Sequence, residues 1–554
     1  MKKTIKALAI ILVLVLCTSL FSACNDQNNQ NIPGGDSTSG GNNTPPSGNI
    51  TMPDAPISNP GEVVPPPVDA RFADHLEVIL DSVVIGVINP HNLASTGAPP
   101  NWAYRMIYNT LTNEDIYDSV LRPELATRWE TDDYITYTFY LRDDVYFHNG
   151  DKFTANDVVY TCHASQTVGL GSESYDVWNQ VESITAVNDY EVLMVLKSLD
   201  VDFVYKVGAT WCSIVNGRAI AEDEIEGYYI GTGPYMIADF ASRDHVSFVR
   251  NDNYWGELPI TKTQTWRTIP EVSTRSIMLQ NGEADMCFEV SEGDLQMFRA
   301  DPEHFTIIPI PQNNPNALQF NTQDPITGDF NFRMAVAYAI NKEEISLIAN
   351  GDTAVAAPDG TIWGNFTTYR NPDIPAIEQN LDLARQYLDQ SVYKGEELTI
   401  LVATIPPLVR AAEVIQEQLS LIGVKVKINQ MDIPSFMAAT TWAESGYQMV
   451  VWTNLLGART SDYRHCFYTG GGQNRMKFDN QELNELLDLE PTVPYGAEKE
   501  SICHRMQEIV AEYIPAINIW YRILSVVTAN GVSGMVLSWD GMRHNMTMMY
   551  KIID

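Results

Sequence analysis

Residues 398–428 constrain the fold more than any other stretch of this 554-residue chain. Positions 398–403 are apolar and β-branched enough for a buried strand. After Pro407, the residues Leu408, Ala412, Ile415, Leu419 and Ile422 recur at three- and four-residue spacing and so share one face of a helix, which Gly423 ends. Residues 424–428 then read as a second strand. Two strands joined by a helix form a βαβ unit, which makes the strands parallel.

The same reading finds strands at 76–88 and 136–141, the second followed by a turn at His148-Asn149-Gly150. Thr154 caps a helix with Asp157 at its third position, running to about Ser165. Residues 181–187 and 191–196 form a hairpin across Asn188-Asp189. Residues 274–279 read as a helix, 284–290 as a strand, and 380–390, 480–489 and 497–512 as helices. No internal repeat is found.

The N-terminus carries Lys2, Lys3 and Lys6 before a 14-residue apolar and small-residue run at 7–20. A helix needs roughly 20 residues to span a hydrocarbon core, so the run reads as a secretory signal and not as a permanent span. It ends at Phe21-Ser22-Ala23-Cys24, which resembles the lipoprotein signal-peptidase site. Cleavage would remove residues 1–23 and leave Cys24 lipidated. Of the next 46 residues, 30 are Asn, Pro, Gly, Ser or Thr, with no aromatic, Lys or Arg. Such a segment buries too little apolar surface to fold. Residues 24–70 therefore form a disordered tether, spanning roughly 40 Å as a flexible coil.

The body, 71–554, has the length of two to four domains and no stretch apolar enough to cross a membrane. A formal charge of −35 repels phosphate backbones, which excludes nucleic acid as a partner. Five of the seven cysteines lie in the body, at 162, 212, 287, 466 and 503. An odd number, widely spaced in a chain this large, is unlike a disulfide framework.

Enzyme signatures are missing: there is no G-x-S-x-G, H-E-x-x-H or C-x-x-C. Gly231-Thr232-Gly233 is followed by Pro234, and Met236 stands where a dinucleotide loop needs glycine, so this stretch reads as a turn. Cys162-His163, His465-Cys466 and Cys503-His504 are sequence neighbours that point apart, so each supplies at most one metal ligand. No cofactor and no metal is expected. A carboxylate pair for glycoside hydrolysis is legible only from separation in space.

Three blocks carry a family resemblance. The first holds Pro123-Glu124-Leu125-Ala126, Trp129, Tyr137-Thr138-Phe139-Tyr140-Leu141-Arg142, Val145, Phe147-His148-Asn149-Gly150 and Thr154-Ala155-Asn156-Asp157-Val158. The second holds Gly231-Thr232-Gly233-Pro234-Tyr235, Arg250-Asn251 and Tyr254-Trp255. The third holds Gly282-Glu283-Ala284-Asp285, Phe320-Asn321-Thr322 and Arg333, which leads into Ala335-Val336-Ala337-Tyr338-Ala339-Ile340-Asn341-Lys342. In this order the chain resembles the extracellular solute-binding proteins of peptide and nickel ABC importers, family 5.

The resemblance implies a two-lobed α/β clamshell of the periplasmic-binding-protein type, with a hinge and a discontinuous larger lobe. The larger lobe is expected at 71–311 plus 517–554 and the inserted smaller lobe at 312–516, with crossings near 307–311 and 517–521. It implies binding without chemistry: a monomer on the outer face of the cytoplasmic membrane, held there only by its lipid, captures a peptide or similar solute. The solute then passes to a membrane permease and its ATPase. An oligosaccharide-binding importer component and a peptide-signal receptor without transport share the same architecture. An extracytoplasmic hydrolase is a third class.

Ligand contacts are expected at Ser95, Thr96 and Gly97 in the loop after Asn89, at Trp363-Gly364 and Trp452-Thr453, at Trp102, and at Asp462. In peptide-binding relatives an aspartate three residues after the matching tryptophan holds the ligand's ammonium. Here that position is Leu455. Asp462 either replaces it or lies outside the cleft. The second option favours longer or blocked peptides, or oligosaccharides, over short free peptides.

Overall fold

The structure, a computed structural model, describes residues 70–553 except 83–84, 93–97, 116–119, 169–171, 365, 443–445, 454–458, 460–462, 540 and 542. The signal, Cys24 and the tether lie outside the described residues, as do Ser95, Thr96, Gly97, Leu455 and Asp462.

The βαβ unit is present. Glu397–Ala403 and Lys425–Met431 pair in parallel, and Pro406–Ser420 is the connecting helix. Leu408, Ala412, Ile415, Leu419 and Ile422 all enter one buried cluster with the sheet. Each large aliphatic side chain among them contributes about 1.5–3 kcal/mol by leaving water. Gly423, at φ 86, makes the left-handed turn that frees the chain for the next strand.

This unit forms one end of an 11-stranded sheet. In spatial order the strands are Lys425–Met431, Glu397–Ala403, Met449–Thr453, Phe305–Phe320, Ala516–Ala529, Met286–Phe288, His75–Leu80, Thr263–Thr268, His245–Arg250 and Tyr235–Ala241, and Ala354–Ala356 pairs on Ala516–Ala529. A four-stranded antiparallel sheet, Ala126–Glu130 to Leu196, stands beside it and contains the expected hairpin, now Val181–Asn188 with Glu191–Leu196.

Two lobes follow from where the apolar side chains gather. Three buried clusters draw only on residues 76–310 and 524–549. The other three draw only on 317–520. The long strands Phe305–Phe320 and Ala516–Ala529 run from one set to the other as an antiparallel pair. Their register shifts between Pro311 and Pro315, so Gln312, Asn313 and Asn314 leave the ladder where the two cores meet. Proline has no N–H to offer a ladder, and these two prolines bracket the break.

Several quoted motifs act as scaffold. Asp285 accepts from the Glu77 amide at 2.8 Å and from Lys551 at 2.6 Å, tying a strand to the C-terminal tail. Buried Arg333 donates to the carbonyls of Thr327, Gly328 and Tyr513. At Gly231 and Gly233 an added Cβ would fall 2.0 and 2.5 Å from the Ile107 backbone, so the stretch is a close backbone approach. All five body cysteines are buried thiols outside any disulfide, and burial pushes the Cys162 and Cys466 thiols up to about 12. Among the described residues no helix is long and apolar enough to cross a membrane.

Candidate functional site

Asn313 organises one side of the hinge. Freed from the ladder, its amide N donates to the Trp539 carbonyl at 3.0 Å, and its Oδ1 accepts from the Phe366 amide at 2.7 Å. Gly364 lies directly against it. A Cβ there would meet the Asn313 side chain at 2.3–2.5 Å, so only glycine admits this contact. The Phe366 and Trp539 rings stack at 5.2 Å across the two lobes.

Trp102 joins the same side from the helix Ala98–Ile107. Its Nε1 donates to the Gly541 carbonyl at 2.9 Å, and its ring stacks on Phe288 and His544 at 4.8 and 4.5 Å. Trp363 is fully buried, near-parallel to Tyr463 at 4.8 Å and Phe467 at 4.6 Å. The Tyr463 hydroxyl accepts from the Gly364 amide at 2.9 Å. In this conformation the Trp363 ring is part of the smaller lobe's core, Gly364 packs on Asn313 at the hinge, and the segment's contact to the other lobe comes from Phe366 on Trp539. Trp102, Trp363 and Gly364 are thus brought to one side of the hinge.

Charged groups close the same side. Arg459 from one lobe and Arg543 from the tail converge on the Glu114 carboxylate at 2.5 and 2.8 Å. The Arg459 guanidinium also lies 4.2 Å from the Tyr205 ring. Beyond it, the Tyr495 hydroxyl donates to Asp202 at 2.7 Å, and the Val201 amide donates to the Pro491 carbonyl at 3.3 Å. Asp202 is fully buried. Burial opposes its ionisation, but the Lys499 and Arg459 charges and the Tyr495 hydrogen bond outweigh that and hold the carboxyl below its usual range. Lys499 is itself paired with Glu490 at 2.9 Å. The lobes therefore meet through hydrogen bonds and ion pairs that exclude solvent.

Trp452 and Thr453 are placed differently. Asn314 and Asn316 are found on a different surface from the one Asn313 organises. They open onto a groove of about 690 Å³ on the reverse of the hinge, where Trp452 and Thr453 also lie. Thr453 Oγ1 donates to Asn316 Oδ1 at 2.5 Å. The Trp452 ring packs on Phe436 at 4.6 Å, with the Arg475 guanidinium 5.6 Å from its centroid. The expected contacts thus divide between two faces.

The charged pair Glu114–Arg459, Arg543, and the group Phe366, Trp539, Asp202 and Tyr495 carry no motif that singles them out in sequence. One signal existed: Gln312-Asn313-Asn314 is a polar triplet between prolines inside an otherwise apolar run. No group of three or more His, Cys, Asp or Glu able to hold a metal occurs among the described residues.

Comparison with known proteins gives the family. The chain is similar to heme-binding protein A of Haemophilus influenzae, 24% identical over 80% of this chain and 86% of that protein. It is similar to the dipeptide-binding protein of Escherichia coli, 23% identical over 79% and 88%. The fold is shared with the ABC transporter substrate-binding protein CtaP of Listeria monocytogenes, with a TM-score of 0.78 and 21% identity over 87% of this chain and all of that one. The family model for bacterial extracellular solute-binding proteins, family 5 (middle), matches residues 120–475, more than half of the sequence. This chain belongs to that family of bacterial extracellular solute-binding proteins.

Proposed function

We propose that the protein is the substrate-binding lipoprotein of an ABC importer, capturing a peptide or similar solute between its lobes and delivering it to a permease. The carrying observation is the interrupted ladder at 312–314, from which Asn313 brings Gly364, Phe366 and Trp539 together at the junction of two separate cores. The lobes are assigned as 71–311 plus 517–554 and 312–516; the buried clusters support the first crossing, whereas Ile517, Ile519 and Trp520 pack with the smaller lobe's core. Function here is binding without bond chemistry. A ligand that touches both lobes favours the closed state by its differential affinity, and aromatic walls with a few polar groups supply affinity and orientation.

The cleft is assigned to the Asn313 side, with Ser95, Thr96, Gly97, Trp102 and Gly364 contributing, Trp363 set behind them against Tyr463 and Phe467, and Asp462 outside it. Trp452 and Thr453 support it from behind. Leu455 supplies no charge for a ligand ammonium, which disfavours short free peptides, since a buried cation needs a charged partner. Calorimetry with free dipeptides, their N-acetylated counterparts and β-linked oligosaccharides, on the wild type and Asp462→Asn, tests the assignment. We expect longer or blocked peptides or oligosaccharides to bind. Tight binding of free dipeptides that is lost on acetylation or in Asp462→Asn would place that carboxylate in the cleft as an ammonium partner.

Cys24 is the proposed membrane anchor. Cell fractionation should find Cys24→Ser protein, still folded, released from the membrane. Its retention there would refute lipidation as the attachment.

A further inference from the structure

We propose that the groove on the reverse of the hinge is a second binding site, for an organic anion with a flat apolar body. At about 690 Å³ it has the size of a small-molecule site, whose usual range is roughly 300–1,000 Å³. Its charge runs against that of the chain. The whole sequence has 35 basic and 70 acidic residues, yet the groove lining holds Arg275, Arg410 and Arg522 against a single carboxylate, Glu289. A positive concavity with apolar walls focuses the field on an entering anion. Those walls are Trp452, Trp520, Ile405 and Leu408.

Two of the arginines are free to serve a ligand. Arg522 pairs with Glu289 at 2.6 Å, but the two side chains are 53% and 32% exposed, and exposed pairs of this kind are readily exchanged. Arg410 directs Nε and Nη2 at one acceptor, the Ala349 carbonyl, leaving further donors of its planar fork. Arg275 has a different part. It donates to the carbonyls of Ile269, Pro270 and Glu289 and holds Glu289 in place. Glu289 has φ 55, a left-handed backbone that a non-glycine residue adopts only under constraint and that gathers at ligand sites. The groove is lined from both lobes, by Arg275 and Glu289 of one and by Arg410 and Trp452 of the other, and its ligand is distinct from that of the cleft.

Equilibrium dialysis of 1-naphthoate against the full-length protein tests the site, with neutral 1-naphthalenemethanol as the matched control. The expected result is saturable one-to-one binding of naphthoate, with the alcohol weaker by about tenfold or more, the loss of one charge-assisted contact. Arg522→Gln should weaken naphthoate by a similar factor. Thr353→Trp, which fills the groove from its rim, should abolish binding while circular dichroism shows the fold intact. Arg128→Gln, at an exposed position on the four-stranded sheet, should leave binding unchanged. Absence of saturable binding, equal binding of the alcohol, or binding that survives Thr353→Trp would each overturn the proposal. The last pattern would place the anion outside the groove.

Discussion

His91 lies two residues before the segment 93–97, fully buried, with its Nε2 2.9 Å from the Ser213 carbonyl. Burial pushes its imidazole down to about 4 from an ordinary 6.5, although the Ser213 carbonyl favours the charged form. The unfolded chain therefore binds a proton that the folded chain refuses between pH 6.5 and 4. Stability is fully present above pH 6.5 and falls as the pH drops through that window, by up to about 3 kcal/mol for this group alone. Denaturant titrations at pH 7 and 4.5 should show the loss, and His91→Gln should reduce the difference between the two. An equal pH dependence in the variant would assign the effect to other groups. At this scale the site is a set of particular fits, of which Gly364 against Asn313 is the tightest.

The helix Ala155–Val168 shows how element ends are secured. The sequence reads Thr154 as its N-cap with Asp157 at the third position. In the structure the reaching-back half of that pattern carries the cap: the Thr154 amide and hydroxyl both donate to the Asp157 carboxylate, at 2.8 and 3.1 Å. The Asp157 side chain is buried, with Arg218 at 3.3 Å, so it is better placed than a flexible hydroxyl to satisfy the first turn. Asp157→Ala leaves the half-buried Thr154 amide without its cap, and chemical denaturation should show a loss of about 1–2 kcal/mol. Thr154→Ala, which keeps the amide bond, should cost less. The reverse ranking would mean that the hydroxyl is the cap.

Across the whole molecule, closure depends on the contacts that join the lobes. Asp202 and Tyr495 form a buried charge-assisted hydrogen bond, worth about 1.5–3 kcal/mol. Asp202→Asn or Tyr495→Phe should therefore enlarge the radius of gyration of unliganded protein in small-angle scattering and weaken ligand binding about tenfold or more. Because Asp202 is held below the ordinary carboxylate range, this contact persists at neutral pH and is lost only as the pH falls through that lowered value. A true ligand should compact both variants again and stabilise the wild type by about 2.7 kcal/mol at a hundred times its dissociation constant. Scattering curves that do not change at saturation would count against closure of the lobes.

Local structure was legible in the residues because it depends on near neighbours. The stripe from Leu408 to Ile422, the turn at Gly423 and the hairpin about Asn188-Asp189 each follow from a period or a turn residue. The family resemblance was likewise carried by short ordered motifs, and it extended the reading to a two-lobed α/β fold. Tertiary structure alone decided which residues face one another across the hinge. Trp363 and Trp452 look alike as isolated aromatics, yet one is sealed against Tyr463 and Phe467 while the other edges the reverse groove. Glu114 meets Arg459 and Arg543 from more than 300 residues away in sequence. Such pairings depend on the register of two long strands and on the break between Pro311 and Pro315, a property of the assembled sheet that no local period encodes.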